Sequence, residues 1–213
     1  DLGESTIAHG SSGVLYRTGV FYGDQNISKK PFQLEIASGI DKDLDKAEGF
    51  ITVNTRELSN LWFDPTPTNR SDNAPTSTKY DFISTMLHEL GHVLGVHGFF
   101  DYEPPPSGIA GLVNNDLSYL SIYDTFIDWD DEQSSFVFTG ENAVKAYQEL
   151  GFSGKLPLHS EGNNSGSDLS HYGSEEYDSD PLDLYLMDAT SNTGLIRSVS
   201  TLDTAIPKDL GYR

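Results

Sequence analysis

His88-Glu89-Leu90-Gly91-His92 sets two imidazoles four residues apart, with a carboxylate directly after the first. On an α-helix, positions i and i+4 share one face a turn apart, so both rings can aim a nitrogen at a single ion. Imidazole nitrogens suit zinc, which they hold at about 2.0–2.1 Å. Glu89 stands beside the first ring, so it is near such an ion without having to bind it. It can take a proton from water that the ion polarises and return it to a leaving group. The spacing therefore points to metal-assisted hydrolysis. Two ligands do not complete a zinc site, so a third must come from elsewhere in the chain.

Those five residues need a helix, and the surrounding pattern supplies one. Phe82, Met86, Leu90 and Val93 recur at helical spacing, while Ile83, Leu87 and Leu94 widen the apolar face. Asp81 is an acid facing the positive helix end. Gly95 and Gly98 mark where the helix stops. Before it, residues 64–79 are rich in Pro, Thr, Ser, Asn and Asp and form a surface loop. Residues 1–60 look strand-rich, with Phe50–Asn54 as a short strand. After it, residues 99–140 are loop-rich, and Pro104–Pro106 rule out a regular helix there. A short helix is expected over Asn142–Leu150, and residues 159–184 are polar and irregular. Near the end, Ser200 and Asp203 make an approximate capping box, after which Leu202, Ile206 and Leu210 share one helical face. Pro207 should bend or shorten that helix. No linker separates independent domains, so residues 1–213 are read as one domain.

The 213 residues suffice for one core or for two lobes around a cleft. With 13 basic and 33 acidic residues the net charge is −20, which repels nucleic acid and anionic membranes and excludes both as primary partners. No apolar run approaches membrane-spanning length, so no membrane insertion is expected. There is no cysteine, which excludes disulfides, thiolate ligands and a cysteine nucleophile. Glycosylation acceptor patterns occur at Asn26, Asn69 and Asn163.

Gly95 extends the motif to HExxHxxG, the metzincin pattern, in which this glycine turns the backbone sharply so that a third ligand can reach the metal. That pattern puts the third His three residues after the glycine, where this chain has Gly98; His97 falls one residue short. Further on come Ser170-His171-Tyr172, then Leu186-Met187-Asp188, and the chain closes with Asp209-Leu210-Gly211-Tyr212. Together these resemble the leishmanolysin-like branch of the metzincins, in its bacterial secreted form. There an insertion separates HExxHxxG from a third His in an SHW context, followed by an LM methionine turn and a helix ending in DLG plus an aromatic. Tyr123–Asp128, Phe138–Ala143 and Leu156–Leu158 add to the likeness, which covers about residues 50–213.

The resemblance implies a secreted zinc endopeptidase acting on protein or peptide substrates. His88, His92 and His171 become the zinc ligands, Glu89 the general base, and Met187 the methionine beneath the metal. It implies an α+β fold in two lobes. The upper lobe, about residues 1–98, would carry a twisted mixed β-sheet and the zinc-binding helix. The lower, about residues 99–213, would be irregular and end in a helix. An extended substrate would add to an edge strand, with Phe50–Asn54 or the segment nearest Trp62 as that edge. A propeptide or protein inhibitor outside this chain would keep such an enzyme latent. The chain departs from the pattern in several places. It lacks the disulfides of the eukaryotic members, has Tyr172 for Trp, has Ala189 where some metzincins carry a Tyr, and shows no long amphipathic helix before Gly49.

Two other readings stand beside this one. A gluzincin-type protease would use Glu175 or Glu176 as its third ligand. A non-catalytic secreted module would bind calcium or zinc and keep the motif as a relic. For calcium, Asp128, Asp130 and Asp131 are the leading candidates, with Asp124 and Glu132 near them and Asp178, Asp180 and Asp183 as a second group; solvated acidic loops are the alternative. Asp41, Asp43 and Asp45 alternate like a calcium loop, but Lys46 and Thr52 stand where an EF-hand needs Gly and Glu. His9 and His159 are assigned no role.

Overall fold

A computed structural model describes residues 6–12, 16–22, 25–29, 31–41, 46–70, 75–99, 101–103, 111–113, 119–160, 169–173 and 181–212. Strands β1 (Ala8–Ser12), β2 (Tyr16–Tyr22) and β3 (Gln25–Lys29) precede a short helix, α1 (Pro31–Ser38). After β4 (Gly49–Val53) and β5 (Leu61–Trp62), β6 (Tyr80–Asp81) runs without a break into α2 (Phe82–Leu94). Strands β7 (Asp101–Glu103), β8 (Gly111–Val113), β9 (Tyr119–Ser121), β10 (Ile127–Asp130) and β11 (Ser135–Phe138) follow. The chain ends through α3 (Glu141–Glu149), β12 (Leu156–Pro157) and α4 (Thr201–Asp209). The calls on Asp43, Asp45, Asn163, Glu175, Glu176, Asp178, Asp180 and Pro104–Pro106 lie outside the described residues.

The chain is α+β, but its described strands do not gather into one twisted mixed sheet. They form five small ones: β1-β4, β2-β3-β9, β5-β6, β7-β8 and β10-β11-β12. Most strands are too short to extend further, and only β2-β3-β9 mixes antiparallel with parallel pairing. The helix before Gly49 is α1, eight residues long, rather than a long amphipathic one.

Local chemistry accounts for the helix ends. Asp81 accepts the Ser84 N–H at 2.7 Å and so caps α2. Gly95 ends it at φ +111°, a left-handed conformation that glycine adopts without strain. At α4 the capping box is reciprocal: Asp203 N–H donates to the Ser200 hydroxyl, and the Ser200 N–H donates to the Asp203 carboxylate. Pro207 lies inside α4, which stops two residues later at Asp209. The α3 boundaries fall one residue before those expected.

The main apolar cluster is drawn from residue 96 onward. Tyr123, Phe136, Phe138, Leu156, Leu158, Leu169, Tyr172, Leu182 and Met187 pack with the buried face of α4, on which Leu202, Ile206 and Leu210 all lie. Helix α2 is different. Its buried residues are Ser84, Thr85, Glu89, His92 and Val93, while Leu90 is 38% exposed. The stripe that carries the chemistry is therefore the one the fold covers, by β1 on one side and by the segment around Met187 on the other.

Candidate metal centre

Helix α2 brings His88 and His92 together, and a segment 79 positions beyond His92 adds His171. The Nε2 atoms of the three rings lie 3.0 Å (His88–His171), 3.1 Å (His92–His171) and 3.2 Å (His88–His92) apart. His92 and His171 are buried and His88 is half-buried. The His171 ring stacks with His88 at a centroid distance of 4.9 Å and meets His92 edge-on at 4.7 Å.

The far side of each helical ring sets its tautomer. His88 Nδ1 is 2.7 Å from the Leu186 carbonyl and His92 Nδ1 is 2.7 Å from the Val96 carbonyl. A carbonyl only accepts, so each Nδ1 carries the proton and each Nε2 keeps its lone pair. Burial also holds His88 below the ordinary imidazole range, which favours the neutral ring. The lone pairs of His88 and His92 Nε2, 3.2 Å apart, repel one another unless a cation lies between them. Tetrahedral zinc at about 2.05 Å from each nitrogen would separate its ligands by about 3.3 Å, close to the observed spacing. The donor set therefore fits a zinc ion, with orienting carbonyls of the kind that ligating histidines use.

Gly95 serves this arrangement in an unexpected way. The Val96 N–H donates to the Gly91 carbonyl at 3.0 Å, and the turn brings the Val96 carbonyl back onto His92. His97 lies outside the triad, with its Nδ1 3.1 Å from the Ser170 hydroxyl. It contacts the segment that carries the third histidine.

His171 is held by backbone on both sides. The His159 N–H donates to the His171 carbonyl at 3.0 Å and the Leu169 N–H to the His159 carbonyl at 2.8 Å. The Tyr172 N–H donates to the Met187 carbonyl at 3.1 Å, which ties the third histidine to the methionine segment. Thus His159, assigned no role, fixes His171 through its main chain; its own ring is buried. His9 is exposed.

Met187 lies under the motif helix. A Cβ built on Gly91 would come within 2.3 Å of its sulfur, so the thioether packs directly on the Gly91 backbone. The hydroxyl of Tyr172 accepts the Met187 N–H at 3.0 Å and donates to the Asp203 carboxylate. Burial, followed by the Asp203 charge, raises the Tyr172 pKa well above the usual range, which keeps that donor protonated. Arg197, also buried, reaches Asp188 at 3.4 Å and donates to the Asp183 carbonyl at 2.6 Å.

Glu89 is 7% exposed, and burial pushes its carboxyl up to about 7 against the pull of the Gly10 N–H. The register of β1 explains that contact. Asn54 N–H donates to the Ile7 carbonyl, so Ile7, His9 and Ser11 direct their backbone groups at β4. Ala8, Gly10 and Ser12 direct theirs to the other edge, where Glu89 sits. A Cβ at Gly10 would fall 2.2 Å from the Glu89 carbonyl oxygen, so the strand approaches the helix as closely as backbone allows. The strand packed beside the carboxylate is thus β1. Sequence reasoning missed Gly10 because nothing in residues 8–12 marks it as different from the other glycines.

Asp128, Asp130 and Asp131 do not form a calcium site among the described residues. Asp130 accepts the Glu132 and Gln133 N–H groups and pairs with Lys155 at 3.2 Å; Asp131 accepts the Trp129 indole N–H; Asp128 accepts the Trp129 N–H. Their carboxylates shape the β10–β11 hairpin instead of converging. Asp124 is buried and accepts from Phe99 and Ser121, fixing the chain that leaves α2. Besides the histidine triad, Glu35, Asp41 and Glu48 are the other described residues close enough to share an ion. Exposed acids cluster in this way without one. Comparison with protein-family models, with characterised proteins and with solved structures finds no match to this chain.

Proposed function

We propose that this protein is a zinc-dependent endopeptidase of the metzincin type, in its leishmanolysin-like branch, secreted to act on protein or peptide substrates. The observation that carries the reading is the convergence of three imidazole Nε2 atoms, from His88, His92 and His171, beside one buried carboxylate. Met187 packed beneath them supports it.

Bound zinc would polarise both water and the scissile carbonyl. The chain's own residues do the rest. Glu89, with its carboxyl raised by burial to about 7, is poised to accept a proton near neutral pH and to deliver it to the departing amine. The Gly10 N–H fixes the direction of that carboxylate. An extended peptide running past the histidines would add to an exposed strand edge by main-chain hydrogen bonds. The lobe division near residue 98, latency imposed by a propeptide or protein inhibitor, and secretion belong to the same proposal.

The test is zinc content together with casein hydrolysis, with and without a chelator, for the wild type and Glu89→Gln. The expected result is one bound zinc in both proteins and chelator-sensitive hydrolysis in the wild type alone. Full hydrolysis by Glu89→Gln would overturn the assignment of the base. A zinc-loaded wild type without hydrolysis would favour a non-catalytic module.

A further inference from the structure

Among the described residues Arg197 is the one Lys or Arg that is buried, at 5% exposed, and it touches none of the three histidines. Taking a cation out of water is costly, and its Nε has no hydrogen-bond partner among the described residues. Apolar residues of similar volume often replace a buried ion pair at no loss of stability. What a guanidinium adds at such a place is direction.

The bonds of Arg197 close a ring that passes through His88. Its Nη2 donates to the Asp183 carbonyl at 2.6 Å and to the Asp188 carboxylate at 3.4 Å. Asp188 is itself buried and lies two residues after Leu186, whose carbonyl accepts the Nδ1 proton of His88 at 2.7 Å. On the other side the Arg197 N–H donates to the Ser84 hydroxyl at 2.8 Å. Ser84 lies on α2 one turn before His88, on the same face. The Arg70 guanidinium, which pairs with the α2 cap Asp81, donates to the Arg197 carbonyl at 3.2 Å. Residue 197 therefore grips both parts whose separation sets the His88–Leu186 bond. Its main chain holds the first turns of α2, and its side chain holds the methionine segment.

We propose that Arg197 is a positioning residue for the metal site: it holds the Leu186 carbonyl against α2, so that His88 keeps its proton on Nδ1 and offers Nε2 to zinc. The proposal rests on the zinc reading for the identity of the metal, while the tautomer of His88 is a property of the zinc-free protein as well.

Two measurements test it without relying on turnover. Zinc affinity is read by competition with a chromophoric chelator. Nitrogen NMR of the zinc-free protein reads the His88 tautomer, which a general loss of stability would not move. In Arg197→Met, zinc should bind about tenfold more weakly, and His88 should populate both tautomers instead of one. Arg197→Lys should restore most of the affinity, because both side-chain bonds come from the single nitrogen Nη2. Arg197→Met combined with Asp188→Asn leaves no buried charge unpaired, so it keeps the test open if the single variant does not fold; it should show the same two changes. Tyr147→Ala, which loses a ring stacked on Phe152 at 4.7 Å on α3, is the control for lost stability and should match the wild type in both measurements. Wild-type zinc affinity and a single His88 tautomer in the Met variants would overturn the role of Arg197. The same changes in Tyr147→Ala would overturn it too, by tracing them to stability alone. A wild type with one His88 tautomer that binds no zinc would bring down the metal reading instead, and the role toward zinc with it.

Discussion

The Tyr172 hydroxyl stands between Met187 and Asp203, accepting the Met187 N–H at 3.0 Å and donating to the Asp203 carboxylate. One side chain thus joins the segment of the third histidine, the methionine beneath the triad and the capping box of the last helix. Tyr172→Phe keeps the ring and removes the link, leaving the Met187 N–H buried without this acceptor. The expected cost is about 1–3 kcal/mol in urea denaturation, with zinc affinity weakened several-fold. An unchanged stability and zinc affinity would mean that the hydroxyl merely fills space.

Tyr172 also shows how far the sequence could be read. The helix that carries His88 and His92, its glycine stop, and the later helix capped by Ser200 and Asp203 rest on local patterns, and local patterns are legible. His171 was legible only through a family resemblance, since no spacing rule links positions so far apart. The hydroxyl of Tyr172 registered as a departure from Trp, yet it is the atom that ties the segments together. Gly10 and the Leu186 and Val96 carbonyls left no signal, because backbone groups act by position and not by residue type. The acidic residues around Asp130 misled for the opposite reason: the side chains suited calcium, but the hairpin had already engaged them.

Gly10 gives a sharper test of the base. In Gly10→Ala the new methyl would meet the Glu89 carbonyl oxygen at 2.2 Å, and backbone on both sides leaves β1 no choice but to move. The Gly10 N–H would move with it. A displacement near 1 Å from the reacting groups costs on the order of 10²-fold in rate, so kcat should fall by that order while zinc content is retained. Ser11→Ala, whose backbone groups face β4, is the control and should leave kcat unchanged. A Gly10→Ala protein that is folded and fully active would remove Gly10 from the site.

Met187 should act through packing. Met187→Ala would leave a cavity beneath Gly91, at a cost of about 2–5 kcal/mol. Met187→Leu conserves volume and should cost less than about 1.5 kcal/mol. Chemical denaturation of the two variants, with zinc content measured beside it, checks the order. Equal losses would point to a role for the sulfur itself.

The third ligand can be assigned directly. His171→Ala removes one of the three converging nitrogens, so its zinc content should fall far below that of the wild type. Glu176→Ala should retain its zinc. Loss in Glu176→Ala with retention in His171→Ala would turn the reading toward a gluzincin.

Metal removal and pH should be coupled through His88. Burial holds its folded pKa below the 6.5 of the unfolded chain. Its contribution to stability is therefore fully present above pH 6.5. It declines as the pH falls below that value, because the unfolded chain then takes up a proton that the folded one resists. Zinc requires the same neutral ring, so protons compete with the metal as well as with folding. At a zinc concentration of about 100 Kd the loaded protein should exceed the chelated one by about 2.7 kcal/mol near neutral pH. Between about pH 8 and about pH 5 the chelated protein should lose stability on the acid side, and the gap between the two forms should close as zinc is released. Melting curves of both forms across that range check each part. A gap that stays constant down to the acid end would mean that the stabilising metal is not held by these histidines.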